Sequence, residues 1–128
     1  MRLLLDTHAL LWWLSDDRAL AGSARKLIAR SNSTILVSAV SAWEIATKFR
    51  LGKLPGAADL VADFDGYLKR ERFESLPITS DHAVRAGLLP EPHRDPFDRM
   101  LIAQAQAENI PIISNDAAFD PYKVRRLW

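Results

Sequence analysis

Short apolar runs alternate with longer amphipathic stretches along the chain. Leu3–Leu5 and Ile35–Val37 are the clearest runs; each is too short for a helix and is followed by a polar residue. Weaker runs lie at residues 75–78, 110–113 and 124–127, and the proline in the first of them favours an edge position in a sheet. The pattern therefore predicts five strands.

Between these runs, apolar residues recur at helical spacing. The spacing predicts helices over residues 20–30, 40–51, 57–72 and 81–88, and a long helix that opens at Asp95-Pro96 with proline at its first position. Alternating strands and helices favour an α/β fold in which a mostly parallel sheet is covered on both faces. At 128 residues we expect one domain over residues 1–128.

Composition excludes several classes of protein. With 48% hydrophobic and 26% charged residues the chain is neither disordered nor of low complexity. The absence of cysteine excludes disulfides, thiolate metal sites and a cysteine nucleophile. The first apolar run stops at Asp6 after three leucines, so neither a signal peptide nor a membrane span is predicted. We therefore expect a cytoplasmic protein with no membrane partner.

Acidic residues follow the predicted strands. Asp6 follows the first strand and Asp116 follows the fourth, while Glu44 and Asp98 lie early in two of the predicted helices. The carboxyl ends of parallel strands meet at one edge of a sheet, so we expect these four acids to converge there. Like charges at close range disfavour joint ionisation, so we expect a cation to lie among the four acids. Carboxylate oxygens are ligands that suit Mg²⁺ or Mn²⁺. The three histidines lack the spacing of a zinc site.

Each acid also fits a local structural role. Asp6 is a candidate cap for the helix that follows it, and Ser41 with Glu44 fits a capping box. Asp95 fits an N-cap, which would place Asp98 in the first helical turn, where an acid favours the helix dipole. The residues alone leave both interpretations open.

Four blocks of the chain are familiar in combination. They are Leu4–His8, Ser38–Ile45, His93–Ala105, and Ser114–Asp116 with Phe119. In order and spacing they resemble the PIN-domain family, and within it the VapC-type toxins of bacterial type II toxin–antitoxin pairs. The resemblance covers essentially the whole chain, which would make residues 1–128 a single PIN domain.

The resemblance implies a three-layer α/β/α sandwich over a parallel five-stranded sheet, and an endoribonuclease that depends on Mg²⁺ or Mn²⁺. It implies that an acidic quartet supplies both the catalytic residues and the metal ligands. The quartet falls on Asp6, Glu44, Asp98 and Asp116. Water is then the implied nucleophile, with products carrying a 5′-phosphate and a 3′-hydroxyl.

The resemblance also implies supporting residues and partners. Asp95 becomes a helix cap or a neighbour of the site, and the hydroxyls of Ser114 and Thr7 become candidates to orient the acids. Serine stands at position 114 where many members have threonine. The implied partners are an RNA substrate, a VapB-type antitoxin and a second copy of the chain in a homodimer.

Basic residues near the acids are candidates to bind the RNA backbone. Lys48, Arg94 and Arg99 are the residues we select, with a solvated charged face or a plain ion pair as the alternative. The chain has 17 basic and 16 acidic residues. Without the quartet and Asp95, 11 acids remain against 17 basic residues, an excess of six positive charges outside the acidic site.

Two other functions compete with this one. A receiver domain of two-component signalling also has a parallel five-stranded sheet and a Mg²⁺ pocket, but it needs paired acids after the first strand, where this chain has Asp6-Thr7. A PIN fold that binds RNA or protein without cutting is the second alternative, and the presence of all four acids argues against it.

Overall fold

The computed structural model describes residues 1–128, which form one sheet with helices on both of its faces. The strands are β1 (Arg2–Leu5), β2 (Thr34–Ser38), β3 (Glu74–Leu76), β4 (Ile112–Ile113) and β5 (Arg126–Leu127). The helices are α1 (Thr7–Leu14), α2 (Gly22–Ala29), α3 (Ala39–Arg50), α4 (Ala58–Ala62), α5 (Phe64–Arg70), α6 (Ser80–Leu88) and α7 (Pro96–Glu108). Two short 3₁₀ turns cover Pro55–Ala57 and Ala117–Phe119.

All five strands are parallel and lie in the order β3-β2-β1-β4-β5. Leu4 of β1 pairs with Leu36 on one side and with Ile112 on the other, so β1 lies at the centre of the sheet. The predicted α/β fold is confirmed. The predicted edge position of the third strand is also confirmed, since β3 pairs only with β2.

This strand order separates the chain from a receiver domain. Receiver domains have the order 2-1-3-4-5, whereas here β3 lies beyond β2 and β4 pairs with β1. The strand order reverses between β1 and β4, and in open parallel sheets ligands bind in the crevice at such a reversal. The fold therefore places its crevice beside the residues that follow β1 and β4.

Side chains along each strand alternate between the two faces of the sheet, and each face has its own apolar core. Leu3 and Leu5 of β1 lie in one apolar cluster, with residues of α1 to α5, and Leu4 lies in the other, with residues of α7. Successive strand side chains point to opposite faces of a sheet, so a run of three leucines is buried on both sides. The result is the α/β/α sandwich that the sequence predicts.

The prediction of one continuous helix over residues 57–72 is wrong. The chain forms α4 and α5 there, with a break at Asp63, whose φ of −148° lies outside the helical region. The Asp63 carboxylate accepts a hydrogen bond from the Gly66 backbone N–H at 3.2 Å and so caps α5. The apolar spacing continues across the break because both helices contribute to the same core.

The remaining helices agree with the sequence pattern to within two residues at the ends it predicts. Asp95 caps α7, accepting hydrogen bonds from the backbone N–H groups of Phe97 and Asp98 at 2.8 and 3.2 Å, and Pro96 takes the first helical position. No helix of the structure has both the length and the apolar character needed to cross a membrane.

Candidate active site

Asp6 lies at the reversal of strand order, directly after β1. Its backbone N–H donates to Ile113 of β4 at 3.0 Å, which fixes its position beside the end of that strand. The carboxylate is 4% exposed and accepts a hydrogen bond from the Ser114 hydroxyl at 2.6 Å. Burial raises the pKa of the Asp6 carboxyl above its usual value, while the bond from Ser114 acts in the opposite direction.

The Ser114 hydroxyl joins two of the predicted acids. It donates to Asp6 and accepts a hydrogen bond from the Asp116 backbone N–H at 3.0 Å. Asp116 itself is exposed, and its carboxylate accepts from the Ala118 N–H at 2.9 Å, so it caps the 3₁₀ turn as well. The structure thus places Asp116 at the rim of the site and Asp6 at its floor.

Glu44 enters the site from α3. It is 3% exposed, and its Oε2 lies 2.5 Å from the Lys48 ammonium one helical turn later. Its other oxygen, Oε1, is buried and has no hydrogen-bond partner. Burial disfavours the charged form of Lys48, but its pKa is raised overall, because the hydrogen bond and charge of Glu44 and the charges of Asp95 and Asp98 outweigh that effect.

Asp98 completes the buried part of the site from the first turn of α7. Burial raises its pKa to about 6, with the charges of Asp95 and Asp6 adding to the increase. The His93 imidazole opposes that increase, since its Nε2 lies 2.8 Å from Asp98 Oδ2. Three acids from β1, α3 and α7 therefore interact electrostatically in one crevice.

The predicted capping roles have different outcomes. Asp6 does cap α1, since its Oδ1 accepts from the His8 backbone N–H at 3.4 Å. The capping box of Ser41 and Glu44 is not formed: Ser38 caps α3 by accepting from the Val40 N–H at 3.0 Å, and Ser41 lies inside the helix. The Thr7 and Ser41 hydroxyls lie 2.9 Å apart, so the Thr7 hydroxyl joins α1 to α3 and forms no hydrogen bond with an acid. Glu44 is therefore free of any role at a helix start.

The basic residues selected from the sequence have different environments. The Arg99 guanidinium donates to four backbone carbonyls of the segment before α7, so these N–H groups are engaged within the chain, and RNA binding by Arg99 stays a prediction. Lys48 is held by Glu44 at the edge of the crevice, with 32% of its side chain exposed. Arg94 is 87% exposed and makes one long contact, 3.4 Å to Glu91.

The donor set suits a hard divalent cation. No group of three or more acids and histidines is arranged to hold one ion directly. However, a buried carboxylate oxygen without a partner is costly, and Glu44 Oε1 is such an atom. The Glu44 charge acts on Asp6, and the Asp6 charge acts on Asp98, and both aspartates have raised pKa values. Mg²⁺ keeps several waters and uses one or two direct carboxylates, so the residues fit this class of ion.

His93 is the residue of this site that the sequence interpretation missed. It lies five positions before Asp98 and outside any zinc spacing, so the zinc pattern does not identify it. The helix start at Asp95-Pro96 is the signal that does, because it keeps His93 and Asp98 close to the N-terminal end of one helix.

Comparisons with known proteins agree with this architecture. The family model of the PIN domain matches residues 3–124. Ribonuclease VapC16 of Mycobacterium tuberculosis is 40% identical over 65 residues, a match that spans 48% of this chain but only 43% of that protein.

Solved structures show the same fold at low identity. VapBC2 from Rickettsia felis, bound to a DNA fragment from its promoter, matches with a TM-score of 0.65 at 16% identity, over 99% of this chain and 98% of that one. Mycobacterium tuberculosis VapC20, described as a Sarcin-Ricin loop cleaving toxin, matches with a TM-score of 0.65 at 17% identity, over 93% of each chain. Since the family model covers nearly every residue of a fold that carries the acids at its crevice, the chain belongs to the PIN domain family.

Proposed function

We propose that this chain is a metal-dependent endoribonuclease and the toxin of a type II toxin–antitoxin pair. The observation that carries the proposal is the convergence of Asp6, Glu44 and Asp98 in the crevice beside β1, with Asp116 at its rim. Burial, with a smaller contribution from neighbouring carboxylates, raises the pKa of Asp6 and of Asp98, which is costly to a fold, and such arrangements are characteristic of functional sites.

The four acids would hold Mg²⁺ or Mn²⁺, directly or through water. When bound, the ion supplies positive charge to the scissile phosphate and lowers the pKa of a water molecule. Ser114 fixes one oxygen of Asp6, so this ligand does not have to reorganise during the reaction. Hydrolysis would join the water oxygen to phosphorus and break the bond to O3′, which would take up a proton from solvent. Glu44, whose Oε1 has no hydrogen-bond partner, is the candidate acceptor for the proton of the attacking water.

Two features outside the quartet support an RNA substrate. Lys48 places an ammonium group at the edge of the crevice, where a phosphate would meet it. Trp43 precedes Glu44, is 59% exposed, and lies edge-on to Phe97 at 4.9 Å between ring centroids. An exposed indole held by a neighbouring ring offers a stacking surface for an unpaired base.

The nuclease proposal is tested with a mixed RNA pool. Purified protein is incubated with Mg²⁺, with Mn²⁺ or with chelator, in parallel with an Asp6→Asn variant whose fold is checked by circular dichroism. We expect cleavage with either metal, none with chelator, and none from the folded variant. Metal-dependent cleavage that survives Asp6→Asn contradicts the assignment.

The toxin role needs a cellular test. Several of the similar solved structures are VapBC toxin–antitoxin complexes, which supports a small antitoxin as partner. We expect induced expression to stop bacterial growth, Asp6→Asn to abolish that effect, and co-expression of a small protein encoded next to this gene to relieve it. Size-exclusion chromatography with light scattering tests the homodimer. Unaffected growth at confirmed expression contradicts the toxin role and leaves the nuclease assay to decide the activity.

A further inference from the structure

We propose that His93 is a positioning residue for the Asp98 carboxylate, and that Arg99 and Tyr122 hold His93 in place for this purpose. The inference rests on the proposed function, since it concerns how Asp98 is oriented toward a divalent cation. His93 Nε2 lies 2.8 Å from Asp98 Oδ2, and their side chains are 19% and 16% exposed. A carboxylate only accepts hydrogen bonds, so the imidazole N–H is the donor.

Arg99 fastens the segment that carries His93 to α7. Its Nη1 donates to the carbonyl of His93 at 2.9 Å and, at 3.5 Å, to that of Pro90. Its Nη2 donates to the carbonyls of Ala86 at 2.9 Å and of Leu89. A guanidinium presents several N–H groups in a fixed planar fork, which suits it to several acceptors at once. Arg99 follows Asp98 directly, so the first turn of α7 carries both the acid and the arginine that binds the His93 segment.

Tyr122 holds the segment from the opposite end of the chain. Its hydroxyl donates to the Pro90 carbonyl at 2.7 Å and accepts from the His93 backbone N–H at 2.9 Å. The residue is 6% exposed. The backbone N–H and C=O of His93 are therefore both bonded to side chains from elsewhere in the fold, and its ring meets Phe119 edge-on at 6.4 Å between centroids.

This arrangement fixes one oxygen of Asp98 and leaves the other available. Oδ2 accepts from His93, while Oδ1 makes no hydrogen bond to the protein. Ligating carboxylates are commonly held by such a bond, and loss of the supporting residue typically reduces metal affinity or activity roughly 10- to 100-fold. An ordinary surface ion pair has no need of several further hydrogen bonds that fix the backbone of one partner.

The test compares three substitutions of His93 by direct measurement of Mn²⁺ binding, using calorimetry on protein without RNA. His93→Gln keeps an N–H donor at about the distance of Nε2, whereas the shorter His93→Asn and the apolar His93→Ala do not. We expect His93→Ala and His93→Asn to weaken Mn²⁺ binding about 10- to 100-fold. His93→Gln should bind Mn²⁺ within about threefold of the wild type, a rescue that a purely structural role does not predict.

Two further variants test the hydrogen bonds that hold the segment carrying His93. Tyr122→Phe removes one hydroxyl that bonds the segment, and we expect weaker Mn²⁺ binding than in the wild type but stronger than in His93→Ala. Glu91→Gln alters the same segment at an exposed residue whose side chain pairs only with Arg94, and Mn²⁺ binding should not change. In RNA cleavage, His93→Ala should lower kcat with little effect on KM, because the substitution leaves Lys48 and Trp43 intact.

The outcomes separate this inference from the proposed function. If the wild type binds Mn²⁺ and folded His93→Ala binds it equally well, the positioning role is wrong and the nuclease proposal stands. Equal losses of Mn²⁺ affinity in His93→Gln and His93→Ala also overturn the positioning role, because the N–H donor of residue 93 is then irrelevant to binding. If the wild type binds no Mn²⁺, the metal-dependent function fails, and the inference fails with it.

Discussion

Replacing Asp98 by asparagine should stabilise the folded chain at neutral pH when no divalent cation is present. The folded chain raises the pKa of this carboxyl from 3.8 to about 6, so ionising it costs more in the folded than in the unfolded state. Each unit of pKa corresponds to about 1.4 kcal/mol, which gives roughly 3 kcal/mol at pH 7.5. Since the Asp98 side chain is 16% exposed, screening by solvent reduces this cost of ionisation. We therefore expect Asp98→Asn to raise the free energy of unfolding by about 2 kcal/mol.

The pH dependence gives the sign of the effect. The folded wild type holds the Asp98 proton more tightly than the unfolded chain, so the stability from that proton is present below pH 3.8 and is lost as the pH rises through about 6. Asparagine has no proton to lose. The advantage of Asp98→Asn should therefore be about 2 kcal/mol at pH 7.5 and only about 0.5 kcal/mol near pH 4.

Urea denaturation in chelator at pH 7.5 and pH 4, followed by circular dichroism, measures both differences. Glu74→Gln neutralises an exposed acid on β3 and serves as the matched control, with an expected change within about 0.5 kcal/mol. The reasoning is refuted if Asp98→Asn is no more stable than the wild type at pH 7.5. It is also refuted if the difference is the same at both pH values, since the charge is then not its cause.

Substitutions of Ser114, Lys48 and Gly66, each with a matched control, test other parts of the structure by urea denaturation in chelator. Ser114→Ala removes the buried donor to Asp6 and should cost about 1–3 kcal/mol, whereas Ser114→Thr should cost less because it keeps the hydroxyl. Lys48→Met leaves the buried Glu44 charge unpaired and should cost about 1–3 kcal/mol, most of it recovered in the double variant Lys48→Met with Glu44→Gln; no recovery would mean that the ion pair is not responsible. Gly66→Ala places a Cβ against the Asp63 carboxylate and removes the α5 cap, so it should be about 1 kcal/mol less stabilising than Gly87→Ala, where the added Cβ meets nothing and the change should be neutral or stabilising.

Much of the fold could be predicted from the sequence because the signals are local. The leucines of β1 and the residues of β2 form runs too short for helices, and alternation with amphipathic stretches requires a parallel sheet with helices on both faces. The same locality identifies Asp6 and Asp116, because each follows a strand and parallel strands end at one edge. The cap at Asp95 is local as well, since it depends on the next three residues.

The apolar spacing of residues 57–72 could not reveal the break at Asp63. Two short helices that pack against the same core keep the periodicity of one long helix, and only the capping bond from Gly66 marks the division. Arg99 shows a related limit. An arginine beside a predicted acid has the same sequence signature whether it meets a phosphate or, as here, the carbonyls of its own chain.

The sequence by itself determined the class of fold, the edge of the sheet at which the acids meet and the family to which the chain belongs. Only the tertiary structure decided that the Glu44 carboxylate is buried, that Asp98 accepts from His93, and that Ser114 links Asp6 to Asp116. The physical reason is that an apolar pattern needs only the spacing of neighbours along the chain. A hydrogen bond across 108 positions, as between Ser114 and Asp6, depends on distance and angle that exist only once both strands have taken their places in the sheet.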